Sequence, residues 1–212
     1  MSESMLLPDA APEFGGDLDF WATPPSAYWP IRPYLSRAVG ERRVQVLEPA
    51  AGRGGLLNLA VALDPMNITA VELDQQRHAD LARDWGVART VCTDFLTLDV
   101  RAADTRLDLG DIKHPLCVLM NPPFTRPRKT IALEFVQHAL ELAAPSRGIV
   151  CALLQHDWAT GVAWGALHDR HAASLYPLRR RPKFNARGTG TRPCSWFLWD
   201  LAQPKREWRV IG

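Results

Sequence analysis

The sequence predicts a single doubly wound α/β domain built on a mostly parallel sheet. Short apolar runs alternate with amphipathic stretches from residue 20 onward, and one of these runs leads directly into a glycine-rich turn. A length of 212 residues allows one substantial core and is too short for two ordinary domains. Strands that alternate with helices favour a parallel sheet that helices cover on both faces.

The apolar pattern predicts seven strands and four helices within a domain that covers residues 20–212. We expect the strands at 44–48, 68–72, 87–92, 116–120, 148–154, 174–179 and 195–201. We expect the helices at 54–63, 75–85, 130–143 and 159–168. The first 20 residues contain five acids and no basic residue, so residues 1–19 are predicted to form a flexible tail.

The composition is typical of a cytoplasmic globular protein. Hydrophobic residues make up 47% of the chain, yet no apolar run approaches the roughly 20 residues of a membrane-spanning helix. The N-terminus has no basic region followed by an apolar one, which argues against a secretory signal. The four cysteines are widely spaced and form no CxxC pair, so we predict neither a metal site nor a disulfide framework.

The charge is unevenly distributed along the chain. Residues 1–120 carry a net charge of −6, whereas residues 121–212 carry +8. This asymmetry favours a polyanionic partner for the second half, although a solvated basic surface without a partner is the alternative.

A glycine-rich turn follows the first predicted strand in the sequence VQVLEPAAGRGG, residues 44–55. At this edge of an open α/β sheet, glycines let the backbone approach a ligand closely. Glu48 would repel a pyrophosphate but can bind a cationic amino-acid group, which favours S-adenosylmethionine over a dinucleotide. The candidate ligands are Glu48, Ala50, Gly52 and Gly54; the alternative is a turn that only packs the helix.

Acidic residues follow the next two predicted strands. Glu72 ends the second strand, where a carboxylate can accept hydrogen bonds from both ribose hydroxyl groups. Asp74 is predicted to cap the following helix. After the third strand, Asp94 could accept from the cofactor's adenine amino group and Phe95 could pack on its ring, with a surface turn as the alternative.

The sequence Asn121-Pro122-Pro123-Phe124 follows the fourth predicted strand directly. The two prolines stiffen the segment and remove backbone donors, so it presents acceptor oxygens. If the Asn121 side chain and the Pro122 carbonyl accept the two hydrogens of a conjugated amino group, its lone pair is localised and becomes nucleophilic. Phe124 offers a flat face for stacking the target ring.

These elements together resemble the compact phage type of class I N6-adenine DNA methyltransferases. The matching stretches are WATPP (21–25), LEPAAGRGG (47–55), AVELD (70–74), CTDF (92–95), MNPPF (120–124), RPKF (181–184) and SWFLW (195–199). The resemblance implies a Rossmann-like seven-stranded sheet with an antiparallel C-terminal hairpin, and it implies that Thr23 and Pro24, with Asn121, contact the cofactor. It also implies adenine in DNA as the substrate and S-adenosylhomocysteine as the product. Larger members carry a separate target-recognition domain, for which we expect no room here.

Two basic segments, residues 125–130 and 179–192, are the predicted contacts to nucleic acid. Basic side chains with an interleaved aromatic ring suit phosphate contact and base stacking, although a solvated basic hairpin is the alternative. The predicted residues are Arg126, Arg128, Lys129, Arg179, Arg180, Arg181, Lys183, Phe184, Arg187 and Arg192.

Three other functions stay open at this point. Enzymes that methylate RNA or a protein glutamine amide also use an NPP sequence. A nucleic-acid-binding domain without catalytic activity is a third possibility. The oligomeric state is not predicted.

Overall fold

The structure of the protein is a computed structural model that describes residues 22–64, 67–86, 89–98, 114–124, 130–184 and 192–212. The tail predicted for residues 1–19 and Trp21 of the WATPP stretch lie outside the described residues.

Seven strands and six α-helices make up the described fold. The strands are β1 Gln45–Glu48, β2 Ile68–Glu72, β3 Arg89–Cys92, β4 Leu116–Met120, β5 Ile149–Gln155, β6 Ser174–Pro177 and β7 Cys194–Asp200. The helices are α1 Pro25–Tyr28, α2 Arg32–Val39, α3 Leu57–Val61, α4 Gln75–Asp84, α5 Ile131–Ala143 and α6 Val162–Arg170. Short 3₁₀ helices lie at Trp29–Ile31, Phe95–Thr97, Ala144–Ser146 and His156–Thr160.

The seven strands form one sheet in the order β3-β2-β1-β4-β5-β7-β6. All neighbours pair in parallel except β7, which is antiparallel to both β5 and β6. The predicted doubly wound α/β fold and the antiparallel C-terminal strands are therefore confirmed. Because β2 and β3 lie on one side of β1 and β4 lies on the other, the strand order reverses between β1 and β4, which is where open α/β sheets bind ligands.

Helices cover both faces of the sheet. The α1–α4 side packs on buried strand residues that include Leu119 and Trp196, and the α5–α6 side packs on residues that include Val118 and Trp199. All five residues of β4 are buried because this central strand is covered on both sides. The rigid centre of the sheet thus fixes the position of whatever follows β1 and β4.

Two helices near the N-terminus were not predicted. Residues 22–39 are rich in proline, which obscured the apolar period. Pro25 begins α1 and Pro33 lies in the first turn of α2, where a missing N–H removes no intrahelical bond. The fourth predicted helix, 159–168, begins later, at Val162, because residues 156–160 form a 3₁₀ helix and Gly161 is extended.

Among the described residues, no helix has both the length and the apolar character that crossing a membrane requires.

Candidate active site

The carboxyl ends of β1, β2 and β4 meet at one edge of the sheet and carry three of the predicted site residues. Glu48 and Glu72 are the last residues of β1 and β2, and Asn121 follows β4 directly. Since β1 pairs with both β2 and β4 in parallel, the three side chains leave the sheet at the same edge.

The glycine turn after β1 is held in a conformation that excludes larger residues. Gly52 and Gly54 have φ values of 57° and 81°, a region that favours glycine. A Cβ atom on Gly54 would collide with the indole of Trp85, whose Nε1 donates to the carbonyl of Arg53 at 3.2 Å. Because of these constraints, α3 begins at Leu57, three residues after the predicted start.

The carboxylate of Glu72 ties β2 to the glycine turn. Its Oε2 accepts from the backbone N–H of Gly52 at 2.8 Å, and its Oε1 accepts from the N–H of Asp74 at 2.9 Å and from Nε of Arg77 at 3.4 Å. A carboxylate offers about four acceptor sites, so capacity remains for a ribose hydroxyl group. Asp74 caps α4 as predicted, because its Oδ1 accepts from the N–H of Arg77 at 2.8 Å.

Glu48 is a buried carboxyl group with an unused acceptor atom. It is 2% exposed, and no described residue donates a hydrogen bond to its Oε2. Burial raises the pKa of Glu48 well above its usual range; the N–H of Leu56 opposes this effect and the charge of Glu72 adds to it. An unpaired buried acceptor is costly, and a cationic donor at this site would remove that cost.

Asp94 and Phe95, both predicted cofactor ligands, occupy different environments. Asp94 caps the 3₁₀ helix that follows β3, because its Oδ1 accepts from the N–H of Leu96 at 3.0 Å. Phe95 is 2% exposed, and its ring centroid lies 5.0 Å from that of Phe135 and 4.9 Å from that of His138. This is the environment of a core residue, so stacking of an adenine on Phe95 would require the ring to leave its present packing.

The Asn121 amide is oriented by a residue that is distant in sequence. Its Nδ2 donates to Oγ1 of Thr23 at 2.9 Å, which directs the Oδ1 end of the amide away from that hydroxyl group. Pro122 is buried, whereas Pro123 and Phe124 are half-buried. The two stretches WATPP and MNPPF, about 100 residues apart, thus meet through these side chains.

The second basic segment begins at the carboxyl end of β6, on the same edge of the sheet as Asn121. This follows because β6 and β5 are each antiparallel to β7 and therefore run in the same direction. Arg180, Arg181 and Lys183 are exposed there. Arg126, Arg128, Lys129 and Arg187, by contrast, lie outside the described residues.

Three other predicted residues of the second basic segment are either buried or hydrogen-bonded within the protein, which the sequence did not indicate. Phe184 is 7% exposed and belongs to the core beneath α1–α4, so its ring offers no open stacking face in this structure. Arg179 Nε donates to the carbonyl of Gly212 at 3.0 Å. Arg192 donates to Gln155 at 2.9 Å and lies 3.7 Å from Asp157.

Several contacts at this edge were not predicted. The indole of Trp85 packs on the glycine turn, and Nε1 of Trp196 donates to the carbonyl of Ala27 at 2.8 Å. At the end of β5, His156 Nδ1 and Ser195 Oγ lie 2.7 Å apart. Trp196 lies in the recognised stretch SWFLW, whereas Trp85 lies in none of these stretches. A single sequence does not indicate which carbonyl an indole reaches.

Comparison with protein-family models and with curated proteins finds no match for this sequence. Comparison with solved structures finds the same fold. A Pyrococcus horikoshii protein whose name proposes an RNA methyltransferase has a TM-score of 0.64 and 18% identity, with 87% of each chain covered.

Two further structures share the fold. A Listeria monocytogenes protein, whose name proposes a class I S-adenosylmethionine-dependent methyltransferase, has a TM-score of 0.67 and 12% identity over 93% of this chain and 67% of that one. The methyltransferase subunit of a type I restriction-modification system from Streptococcus thermophilus has a TM-score of 0.62 and 17% identity over 85% of this chain. The chain spans 44% of the length of that subunit.

Proposed function

We propose that this protein transfers a methyl group from S-adenosylmethionine to an amino nitrogen, and that this nitrogen is N6 of adenine in DNA. The observation that carries the proposal is the Asn121 amide, which follows β4 and donates to the Thr23 hydroxyl group beside the glycine turn. The fold is shared with three proteins that are named as methyltransferases.

The described residues fit the cofactor. The unused Oε2 of Glu48 suits the ammonium of the cofactor's amino-acid portion, and the remaining acceptor capacity of Glu72 suits a ribose hydroxyl group. Asp94, two residues after β3, would accept from the adenine amino group in place of the N–H of Leu96 that it now caps. The backbone of the glycine turn from Ala50 to Gly54, together with Pro24, would line the rest of the cofactor site. When bound, the cofactor supplies a methyl group activated by a sulfonium.

The chain's own contribution to chemistry is the activation of a weak nucleophile. An amino group conjugated to a purine has a delocalised lone pair. Oδ1 of Asn121 and the carbonyl of Pro122 would each accept one of its hydrogens, which localises the lone pair and holds it in a reactive orientation. Phe124, which is half-buried at the end of the segment, would stack on the ring.

A nucleic acid as substrate is supported by the position of the basic segment. Arg180, Arg181 and Lys183 are exposed at the edge of the sheet where Asn121 lies. Because the target amino group must reach Asn121, the phosphates that flank it would pass along this edge. DNA is favoured by the WATPP stretch and by the shared fold of the restriction-modification subunit.

The proposal is tested by incubating the protein with tritiated S-adenosylmethionine and separate samples of unmodified genomic DNA, RNA and protein extract. We expect label in DNA that a nuclease removes and a protease does not. Mass spectrometry of the nucleosides should then detect N6-methyladenine. The Asn121→Ala variant is the control for contaminating activity. Label in another base, or in none of the three samples, would contradict the proposal.

RNA is a second candidate substrate, because the name of the Pyrococcus horikoshii protein of the same fold proposes an RNA methyltransferase. The same assay separates the two: label that ribonuclease removes and deoxyribonuclease leaves would assign RNA.

A further inference from the structure

We propose that the Thr23 hydroxyl group sets the orientation of the Asn121 amide, and that the carboxylate of the bound cofactor fixes this orientation. This inference rests on the proposed function and assigns a coupling within the site: the cofactor prepares the amide that receives the target. Thr23 is then a positioning residue for the transfer, because it acts on the target through Asn121.

The two ends of the Asn121 amide are not equivalent for the target. An amino group offers hydrogens, so it binds to Oδ1 and is repelled by the hydrogens of Nδ2. The side chain is therefore productive in one of its two amide orientations. In the structure Nδ2 donates to Oγ1 of Thr23 at 2.9 Å, which is the productive orientation.

A hydroxyl group alone does not enforce this choice. It can accept from Nδ2, as observed, or donate its own hydrogen to Oδ1 after the amide turns over. Among the described residues, the Thr23 hydroxyl makes the bond to Asn121 and no other, and the residue is 8% exposed. The orientation is enforced once an acceptor-only group takes the hydroxyl hydrogen, because only lone pairs then face Asn121.

The proposed cofactor brings such a group to Thr23. The N–H of Leu56 bonds to the Glu48 carboxyl, and a Cβ atom on the preceding Gly55 would lie 3.0 Å from the carbonyl oxygen and 3.1 Å from the nitrogen of Thr23. The Glu48 carboxyl group and Thr23 therefore lie beside two adjacent residues of the turn, Leu56 and Gly55 respectively. If Glu48 binds the ammonium of an amino acid, the carboxylate on the same carbon is within reach of Thr23.

The resulting chain of hydrogen bonds runs from carboxylate to Thr23 hydroxyl, to Asn121 Nδ2, and from Asn121 Oδ1 to the target amino group. Every donor in this chain meets an acceptor. Without the carboxylate, the amide can turn over and present hydrogens to the target. We therefore expect the cofactor site to be filled before the target binds productively.

The test uses the complete protein labelled with ¹⁵N and follows the Asn121 side-chain amide by NMR, assigned by its absence in Asn121→Ala. S-adenosylhomocysteine should shift this resonance and slow its hydrogen exchange. Decarboxylated S-adenosylmethionine, which lacks the carboxylate, should bind without slowing the exchange. This comparison needs no substituted protein in the titration and no activity.

Thr23→Val and Thr23→Ser provide the matched variants. At saturating cofactor we expect kcat to fall roughly tenfold to a hundredfold in Thr23→Val, which keeps the shape but loses the hydroxyl group. Thr23→Ser keeps the hydroxyl group and should retain both most of kcat and the response of the Asn121 resonance.

Two results would overturn the inference while leaving the proposed function intact: an Asn121 resonance that responds equally to both ligands, or wild-type kcat in Thr23→Val. Absence of S-adenosylhomocysteine binding or of methyl transfer by the wild-type protein would instead overturn the proposed function. The two failures are therefore distinguishable.

Discussion

The backbone N–H of Gly52 donates a 2.8 Å hydrogen bond to Oε2 of Glu72 across two strands of the sheet. One carboxylate thereby fixes the glycine turn after β1 and also faces the position proposed for the ribose. The shape of the turn and the affinity for the cofactor should consequently depend on the same side chain.

Replacing Glu72 by Ala should therefore lower the affinity for S-adenosylhomocysteine at least about tenfold, because a charge-assisted hydrogen bond contributes roughly 1.5–3 kcal/mol. Isothermal titration calorimetry measures this affinity. Asp74→Ala is the matched control, since it removes the side-chain cap of α4 at a cost of about 1 kcal/mol in stability and keeps the backbone N–H that Asp74 donates to Glu72. Equal losses of affinity in the two variants would contradict a ligand role for Glu72.

Glu48→Gln should stabilise the ligand-free protein at neutral pH. The raised pKa of Glu48 means that the fold binds this proton more tightly than the unfolded chain does, so the associated stability is present at acid pH and lost as the pH rises through the raised pKa. Glutamine keeps the shape without ionising. Each kcal/mol gained corresponds to roughly 2–4 °C in Tm for a domain of this size.

Thermal unfolding of this variant between pH 4 and 8, compared with the exposed control Glu141→Gln, measures the effect. The difference from wild type should shrink as the pH falls towards the ordinary glutamate pKa of about 4.3. The variant should also lose most of the stabilisation that S-adenosylmethionine gives to the wild type. A Glu48→Gln protein that is less stable than the wild type without ligand would contradict the proposed cost of ionising buried Glu48. A variant that the cofactor stabilises as much as it stabilises the wild type would contradict the role of Glu48 as a ligand.

Asn121→Ala should abolish methyl transfer, with a loss of at least roughly a hundredfold in kcat, because it removes the acceptor that we propose acts on the reacting nitrogen. The affinity for S-adenosylhomocysteine should stay nearly intact, since the proposed contacts of the cofactor are mainly to the glycine turn and the two glutamates. Calorimetry and a single-turnover assay measure the two quantities separately. Lost cofactor affinity with retained transfer per bound cofactor would assign Asn121 a different role.

The double variant Arg180→Ala/Arg181→Ala should weaken DNA binding and flatten its dependence on salt. Each lost phosphate contact makes the negative slope of log K against log salt concentration shallower by about 0.9 for duplex DNA. Arg83→Ala is the control, because Arg83 pairs with Asp80 and Asp84 on α4. Fluorescence anisotropy at several salt concentrations gives the slopes, and an unchanged slope in the double variant would remove this segment from the interface.

The parts of the fold that the sequence predicted well are those that short-range patterns specify. The runs that became β2 and β4 have the predicted bounds, because buried central strands consist mainly of apolar residues. The cap at Asp74 was predictable for the same reason: it depends on residues within one helical turn.

The parts that could not be predicted depend on contacts between distant residues. Phe95 and Phe184 were expected near ligands, yet both are buried, because an isolated aromatic residue in a loop carries no periodicity that reveals its direction. The bond from Asn121 to Thr23 joins residues 98 positions apart. Both members were recognised as parts of motifs, but only the fold shows that they touch.

The indole of Trp196 in β7 holds the carbonyl of Ala27, four residues after Thr23, across a separation of 169 positions in sequence. During synthesis on the ribosome, β7 emerges long after the glycine turn and the NPP segment have been made. This hydrogen bond to the segment that carries Thr23 can therefore form only after β7 has been made. Nascent chains that end before Trp196 should lack this bond to the amino-terminal helix, so the arrangement around Thr23 would be completed only once β7 has emerged.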